Sequence, residues 1–267
     1  MCGFFRQLLA ALVITGPVVL AGISAAVAAE RTVDLELVLA VDVSGSMDED
    51  EHLLQRQGYV EAFRHPGVVE VIRSGFYGRI AVTYFEWAGA SGQVITVPWT
   101  EISDAPSASA FADYLASQPI AYIRGTSISG GILFATTLFP TSGFRAARRV
   151  IDISGDGTNN RGGPVEPARD YAVSLGLTIN GLPLLLKEYW GGGISLDVYY
   201  RDCVIGGPGA FVVAVKKPDQ MARAIRRKLI LEIAGPVAGP VLASTRVQTR
   251  QTDCLIGEKR WQSRDFE

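Results

Sequence analysis

Histidine and cysteine are scarce in this chain: two histidines and three cysteines in 267 residues. His52 and His65 stand in no nucleophile–base context, so no catalytic role is read from either. The spacing and neighbours of the cysteines suggest neither zinc binding nor redox catalysis. An excess of one charge is also missing, since 25 Lys and Arg against 27 Asp and Glu leave a formal charge of −2. That balance gives no global electrostatic argument for nucleic acid or an anionic membrane as partner. Internal repeats and low-complexity tracts are absent too, so function has to be read from local features.

What is present is enough for one α/β domain with appendages, with 48% hydrophobic residues to build a core. The first thirty residues, "MCGFFRQLLAALVITGPVVLAGISAAVAAE", run from an early arginine through an apolar stretch to small residues. This is the pattern of a secretory signal over residues 1–29, cleaved near Ala28 or Ala29. The competing reading is an uncleaved anchor, because about twenty apolar residues span a bilayer. Pro17 and the alanine-rich end favour cleavage, which places the mature protein outside the cytoplasm, in the periplasm, with no stable membrane span. Cys2 would leave with the signal. Cys203 and Cys254 then form an even pair in an oxidising compartment, either joined as a disulfide or kept as two thiols.

From residue 34 onward strand-like and helix-like segments alternate. "LELVLAVD" (35–42) is a short, continuously apolar run, as expected of a strand covered on both faces. A helical region follows from Asp48 to about Ser74, with interruptions expected at Gly58, Pro66 and Gly67. "RIAVTYFEWA" (79–88) and "QVITVPW" (93–99) are too close for a helical crossover, so they form an antiparallel hairpin with Pro98 at a sheet edge. Helices at about 107–117 and 127–138, a strand at 148–154, a helix at about 164–175, strands at 178–186 and 210–215, and a helix from Pro218 to Ile233 complete the series. The pattern predicts a mostly parallel sheet with helices on both faces. Residues 34–234 are its domain and 235–267 a Gly/Pro-punctuated, then polar, tail.

The chemistry gathers at strand ends. In open α/β sheets, ligands bind beyond the carboxyl ends of the strands, where the strand order reverses. Asp42 ends the first strand within "AVDVSGSMDE", and Asp156 follows the strand 148–154 within "ISGDGTNN". A third polar loop, "RGTSISGG" (124–131), supplies Thr126. Together Asp42, Ser44, Ser46, Thr126 and Asp156 make a set of hard oxygen donors, suited to Mg²⁺, Mn²⁺ or Ca²⁺ and ill suited to zinc. Gly45 is expected to permit a tight, left-handed turn between the serines, with Gly155 and Gly157 doing the same around Asp156. Each piece has a plainer reading: Ser46 or Asp48 as a helix cap, Thr126 or Ser127 as another, and "GDG" as a turn. Their order, each after the right element, favours a metal site.

"LVLAVDVSGSM", "RGTSISGGI" and "VIDISGDGTNN", in that order, resemble the metal-ion-dependent adhesion site (MIDAS) of von Willebrand factor type A domains. The resemblance covers about residues 34–234. It implies a doubly wound sheet of six strands ordered 3-2-1-4-5-6 and a Mg²⁺ held by Asp42, Ser44 and Ser46. Thr126 and Asp156 would be direct or water-mediated partners. It further implies an open metal position that receives a carboxylate from a protein partner, and so a binding module rather than an enzyme. The "SGDGTNN" wording and the signal segment resemble a group of exported bacterial proteins of this type. One departure is Gly155, where the family often has a threonine.

The competing function is a metal-dependent phosphoryl hydrolase. It lacks a second acidic residue two positions after Asp42, where Ser44 stands, and a phosphate-cradling loop. A third reading keeps the metal as a purely structural element. The basic cluster Lys216, Lys217, Arg223, Arg226, Arg227 and Lys228 reads as a solvated helix face. The stretch 187–209 reads as a partner-facing loop or a packed lid.

Overall fold

The computed structural model describes residues 30–187, 193–235 and 252–264. The expected signal segment, 1–29, and the first part of the tail lie outside the described residues. Five strands form one sheet: β1 (Arg31–Asp42), β2 (Ile80–Trp87), β3 (Gln93–Ile102), β4 (Phe144–Gly155) and β5 (Thr178–Pro183). Their order is β3-β2-β1-β4-β5. All neighbours are parallel except β2 and β3, the expected hairpin. Pro98 accordingly lies on an edge strand, where a missing N–H costs no ladder bond inside the sheet.

β1 is central because its alternating side chains serve two cores. Leu35, Leu37, Leu39 and Val41 face one layer, with α1 (Glu49–Arg64), α2 (Pro66–Arg73), α3 (Ala105–Ser117) and α7 (Met221–Ala234). Val38 and Ala40 face the other, with α4 (Ile128–Leu138), α5 (Val165–Ser174) and α6 (Leu196–Tyr199), which continues as a π-helical turn over Tyr200–Val204.

Two expectations about this framework need correction. The first is the sixth strand. Residues 211–215 do run parallel to β5, with Gly181 donating to Phe211 and Val213 and Val215 donating back to Gly181 and Pro183. Only isolated bridges result, Gly181 with Val212 and Leu184 with Val215. The reason is Pro183, which has no N–H to give where the ladder needs one. The second is the helix break expected at Gly58, the one expected at Pro66 being present. α1 passes through Gly58 without interruption and ends at His65, before Pro66 opens α2. Gly58 serves helix packing instead, because a Cβ there would stand 2.6 Å from Ile225 Cδ1 on α7.

Candidate metal centre

β1 pairs with β4 on one side and β2 on the other, so the strand order reverses between β1 and β4. Asp42 closes β1, and Asp156 follows the last residue of β4. The loop before α4 reaches the same place. The structure therefore brings together the side chains of Asp42, Ser44, Ser46, Thr126 and Asp156. Ser44 Oγ lies 3.0 Å from Ser46 Oγ, and Ser46 donates to Asp156 Oδ1 at 2.6 Å. Thr126 Oγ1 donates to Ser44 Oγ at 3.4 Å, and the Ser44 N–H donates to Asp42 Oδ1 at 2.8 Å.

Local capping explains why these hydroxyls are available. Asp48, rather than Ser46, caps α1, accepting from the Glu51 N–H at 2.9 Å while Glu51 Oε2 accepts from the Asp48 N–H. Ser127, rather than Thr126, caps α4 by accepting from Gly130. The plainer roles open to Ser46 and Thr126 are thus filled by their neighbours.

Asp42 is fully buried, and its Oδ2 has no hydrogen-bond partner among the described residues. Burial, and then the Asp156 carboxylate nearby, holds Asp42 well above the usual carboxylate range despite the hydrogen bonds from Ser44. Burial also raises Asp156, against the hydrogen bond from Ser46. A buried carboxylate with one orphaned oxygen, facing a second carboxylate that is partly exposed, is an arrangement that a cation would complete. The donor set fits a hard divalent ion, with two carboxylates to balance charge and three hydroxyls that add none. Among the described residues no cluster of three His, Cys, Asp or Glu side chains offers a competing centre.

Gly45 and Gly155 act by closeness, whereas a Cβ on Gly157 would meet only Thr126, at 3.8 Å. Gly45, Gly155 and Gly157 are not left-handed, contrary to the expectation. A Cβ on Gly45 would stand 2.9 Å from the Tyr122 hydroxyl.

Two contributors, Gln55 and Lys187, were not evident from sequence. Gln55, buried on α1, donates to the Asp42 carbonyl at 3.1 Å and fixes the end of β1. Asn160 Oδ1 accepts from the Thr126 N–H, while the Thr126 carbonyl accepts from the N–H groups of Asn160 and Arg161. Lys187 donates to the Ser46 carbonyl at 2.9 Å and to Glu51 at 2.6 Å, offsetting acidic charge beside the site. The histidines do not join the constellation. His65 caps α2 through Nδ1, and His52 is buried beside Tyr122.

The basic cluster is divided. Lys228 is buried, paired with Asp152 at 2.6 Å and with Glu232, and does not belong to a solvated face. Cys203 and Cys254 form a disulfide, which ties the end of the tail to the domain. No helix among the described residues is long and apolar enough to cross a membrane.

Comparison with known proteins agrees with this architecture. A family model described as "Protein of unknown function (DUF1194)" matches residues 32–237, and the chain belongs to that family. No curated protein matches the sequence. Among solved structures, the chain is similar to a von Willebrand factor type A protein from Catenulispora acidiphila, with TM-score 0.54 and 14% identity over 76% of this chain and 43% of that one. It is similar to proximal thread matrix protein 1 of the mussel byssus "with zinc occupied MIDAS motif", with TM-score 0.53 and 13% identity over 75% and 46%. It is also similar to the vWF domain of the type V pili tip protein Mfa5 from Porphyromonas gingivalis, with TM-score 0.51 and 11% identity over 74% and 94%. The chain spans less than half the length of the first two. At these identities the likeness establishes the type A-like fold.

Proposed function

We propose that this member of the DUF1194 family is an exported protein-binding module whose recognition depends on a divalent cation. The observation that carries the proposal is the meeting of the Ser44, Ser46, Thr126 and Asp156 side chains beside buried Asp42, whose Oδ2 has no hydrogen-bond partner among the described residues. Asp42, Ser44, Ser46, Thr126 and Asp156 would hold the ion, with Mg²⁺ the first candidate and Mn²⁺ or Ca²⁺ alternatives. When bound, the ion would offer a position to a carboxylate oxygen from an acidic side chain of a protein partner.

The protein's own residues prepare that encounter. Ser44 and Ser46 are aimed by the turn between β1 and α1, and Thr126 is held through its backbone by Asn160 and Arg161. Lys187 limits the negative charge that an acidic partner would otherwise meet. A phosphoryl hydrolase would need an attacking group at the site. Asp42 is fully buried with Oδ1 already accepting the Ser44 N–H, which argues against that role.

Export, with the leader at 1–29, the binding domain at 34–234, the tail at 235–267 and a periplasmic location, belongs to the same proposal. Its support is the signal-like N-terminus and the Cys203–Cys254 disulfide, which suits an oxidising compartment. The type A-like neighbours, one of them a domain of a pili tip protein, are in keeping with binding rather than catalysis.

The test is calorimetric titration of the full chain with Mg²⁺, Mn²⁺ and Ca²⁺, beside Asp42→Ala and Asp156→Ala. Binding by the wild type that both substitutions weaken, with both variants folded, is the expected result. A folded wild type that binds none of the three ions would refute the reading.

A further inference from the structure

The candidate centre is walled by more than the loops of the sheet. α8 (Ile256–Arg264) follows the domain in sequence and rests against the loop after β4. Four contacts hold it there. The Cys203–Cys254 disulfide, with 5.6 Å between Cα atoms, anchors its approach. Asn159 Nδ2 donates to Glu258 Oε1 at 2.7 Å, and the Tyr199 hydroxyl donates to the Cys254 carbonyl at 3.4 Å. The Arg161 guanidinium lies over Trp261, 3.9 Å from the ring centroid. Gly257 packs so tightly on the Asn159 carbonyl that any side chain there would overlap it. Asn160 and Arg161, in the same segment, fix the backbone of Thr126. α8 is therefore fastened to the loop that shapes the centre.

A cleft of about 290 Å³ results, with Ser46, Thr126 and Asp156 on one side and Gly257, Arg260 and Trp261 of α8 on another. Leu184, Leu185, Leu186 and Leu196 supply its apolar surface. The cleft holds two cations. Lys187 is already engaged by Glu51, whereas the Arg260 guanidinium has no hydrogen bond or ion pair among the described residues. An unpaired guanidinium beside an apolar wall and a carboxylate-receiving centre is complementary to a second carboxylate.

We propose that α8 is a recognition element, and that the partner is a protein segment with two acidic side chains flanking an apolar one. One carboxylate meets the cation, the other pairs with Arg260, and the apolar side chain packs on the leucines and Trp261. This rests on the cation-dependent reading above and narrows its partner class.

The test uses the full chain with its disulfide formed and labelled synthetic peptides in excess Mn²⁺. Each peptide carries Asp and Glu separated by one to three residues that include Leu, and a matched peptide has Gln for Glu. Mn²⁺ binding is read by calorimetry in every variant. The expected result is that at least one di-acidic peptide binds about tenfold more tightly than its Gln counterpart. Arg260→Gln abolishes that preference while Mn²⁺ affinity stays within about twofold, and Trp261→Ala weakens both peptides alike. Mn²⁺ binding without any peptide binding, or a preference that survives Arg260→Gln, overturns the role of α8 and leaves the metal centre standing. A wild type that binds no metal overturns the underlying reading, and this proposal with it.

Discussion

A β-carbon at Gly155 would stand 2.7 Å from Asp42 Oδ2 and 2.9 Å from the Tyr200 hydroxyl. The resemblance to type A domains leads to an expectation of threonine at this point, and the Asp42 carboxylate and the Tyr200 hydroxyl take up the space that a side chain would need. Gly155→Ala is therefore expected to cost about 1–3 kcal/mol, as overpacked sites do, and to weaken metal binding by displacing Asp42. Gly163→Ala, where an added Cβ meets nothing within 4 Å, is the control and should stay within about 0.5 kcal/mol. Urea denaturation with and without Mn²⁺ measures both effects.

Asp42→Asn separates the cost of the carboxylate from its use. In metal-free protein the substitution removes a buried carboxyl whose ionisation is disfavoured by burial and by Asp156, so the melting temperature should hold or rise. The wild type should gain about 2.7 kcal/mol at a free metal concentration one hundred times Kd. Asp42→Asn should gain almost nothing. A variant that is destabilised without metal, yet still stabilised by it, would show that Asp42 is a packing residue rather than a ligand.

Much of this arrangement was legible because it is periodic or local. The continuous apolar runs ending at Asp42 and in the 148–154 segment announced buried parallel strands, and alternation placed their ends at one crevice. What escaped is non-local. Pro183 reads as an ordinary residue of "TINGLPLLL", and its effect appears only when the neighbouring segment needs the N–H that it lacks. Lys228 sits in a run of basic residues, and only the approach of Asp152 from β4 makes burial of its ammonium possible. Gly58 looked like a helix breaker because the helix that needs its closeness, α7, lies more than 160 residues away. The wall made by α8 depends on a disulfide whose two cysteines are 51 residues apart.

Loss of that disulfide has a global and a local consequence. Cys203→Ser with Cys254→Ser should lower stability by about 2–4 kcal/mol through the larger freedom of the unfolded chain. It should also release α8, since the remaining anchors are single contacts such as Asn159 with Glu258 and Arg161 over Trp261. Hydrogen exchange should then accelerate in residues 256–264 while β1 and β4 stay protected. Equal protection of α8 in both proteins would show that the side-chain contacts alone suffice to hold it.

The buried cluster under α7 predicts a pH dependence. Lys228 and Glu232 from α7 meet Asp152 from β4 and Asn180 from β5, and Arg148 of β4 donates to the carbonyls of Glu232 and Ile233. One ammonium faces two carboxylates, so one proton is retained among them. Burial first, and then the Asp152 carboxylate, pushes Glu232 up to about 7. An acid whose pKa is raised on folding binds its proton more tightly in the native state. Its contribution is complete below the unfolded value, and it is lost as pH rises through the folded value. Between about pH 4.5 and 7 the native state thus holds one proton more than the unfolded chain, and stability should fall with a slope of up to about 1.4 kcal/mol per pH unit from this group. Glu232→Gln keeps an acceptor oxygen for Asn180 and Lys228 while removing the titration. Its stability measured across this range should be flatter than that of the wild type, and identical slopes would place the retained proton on Asp152 instead.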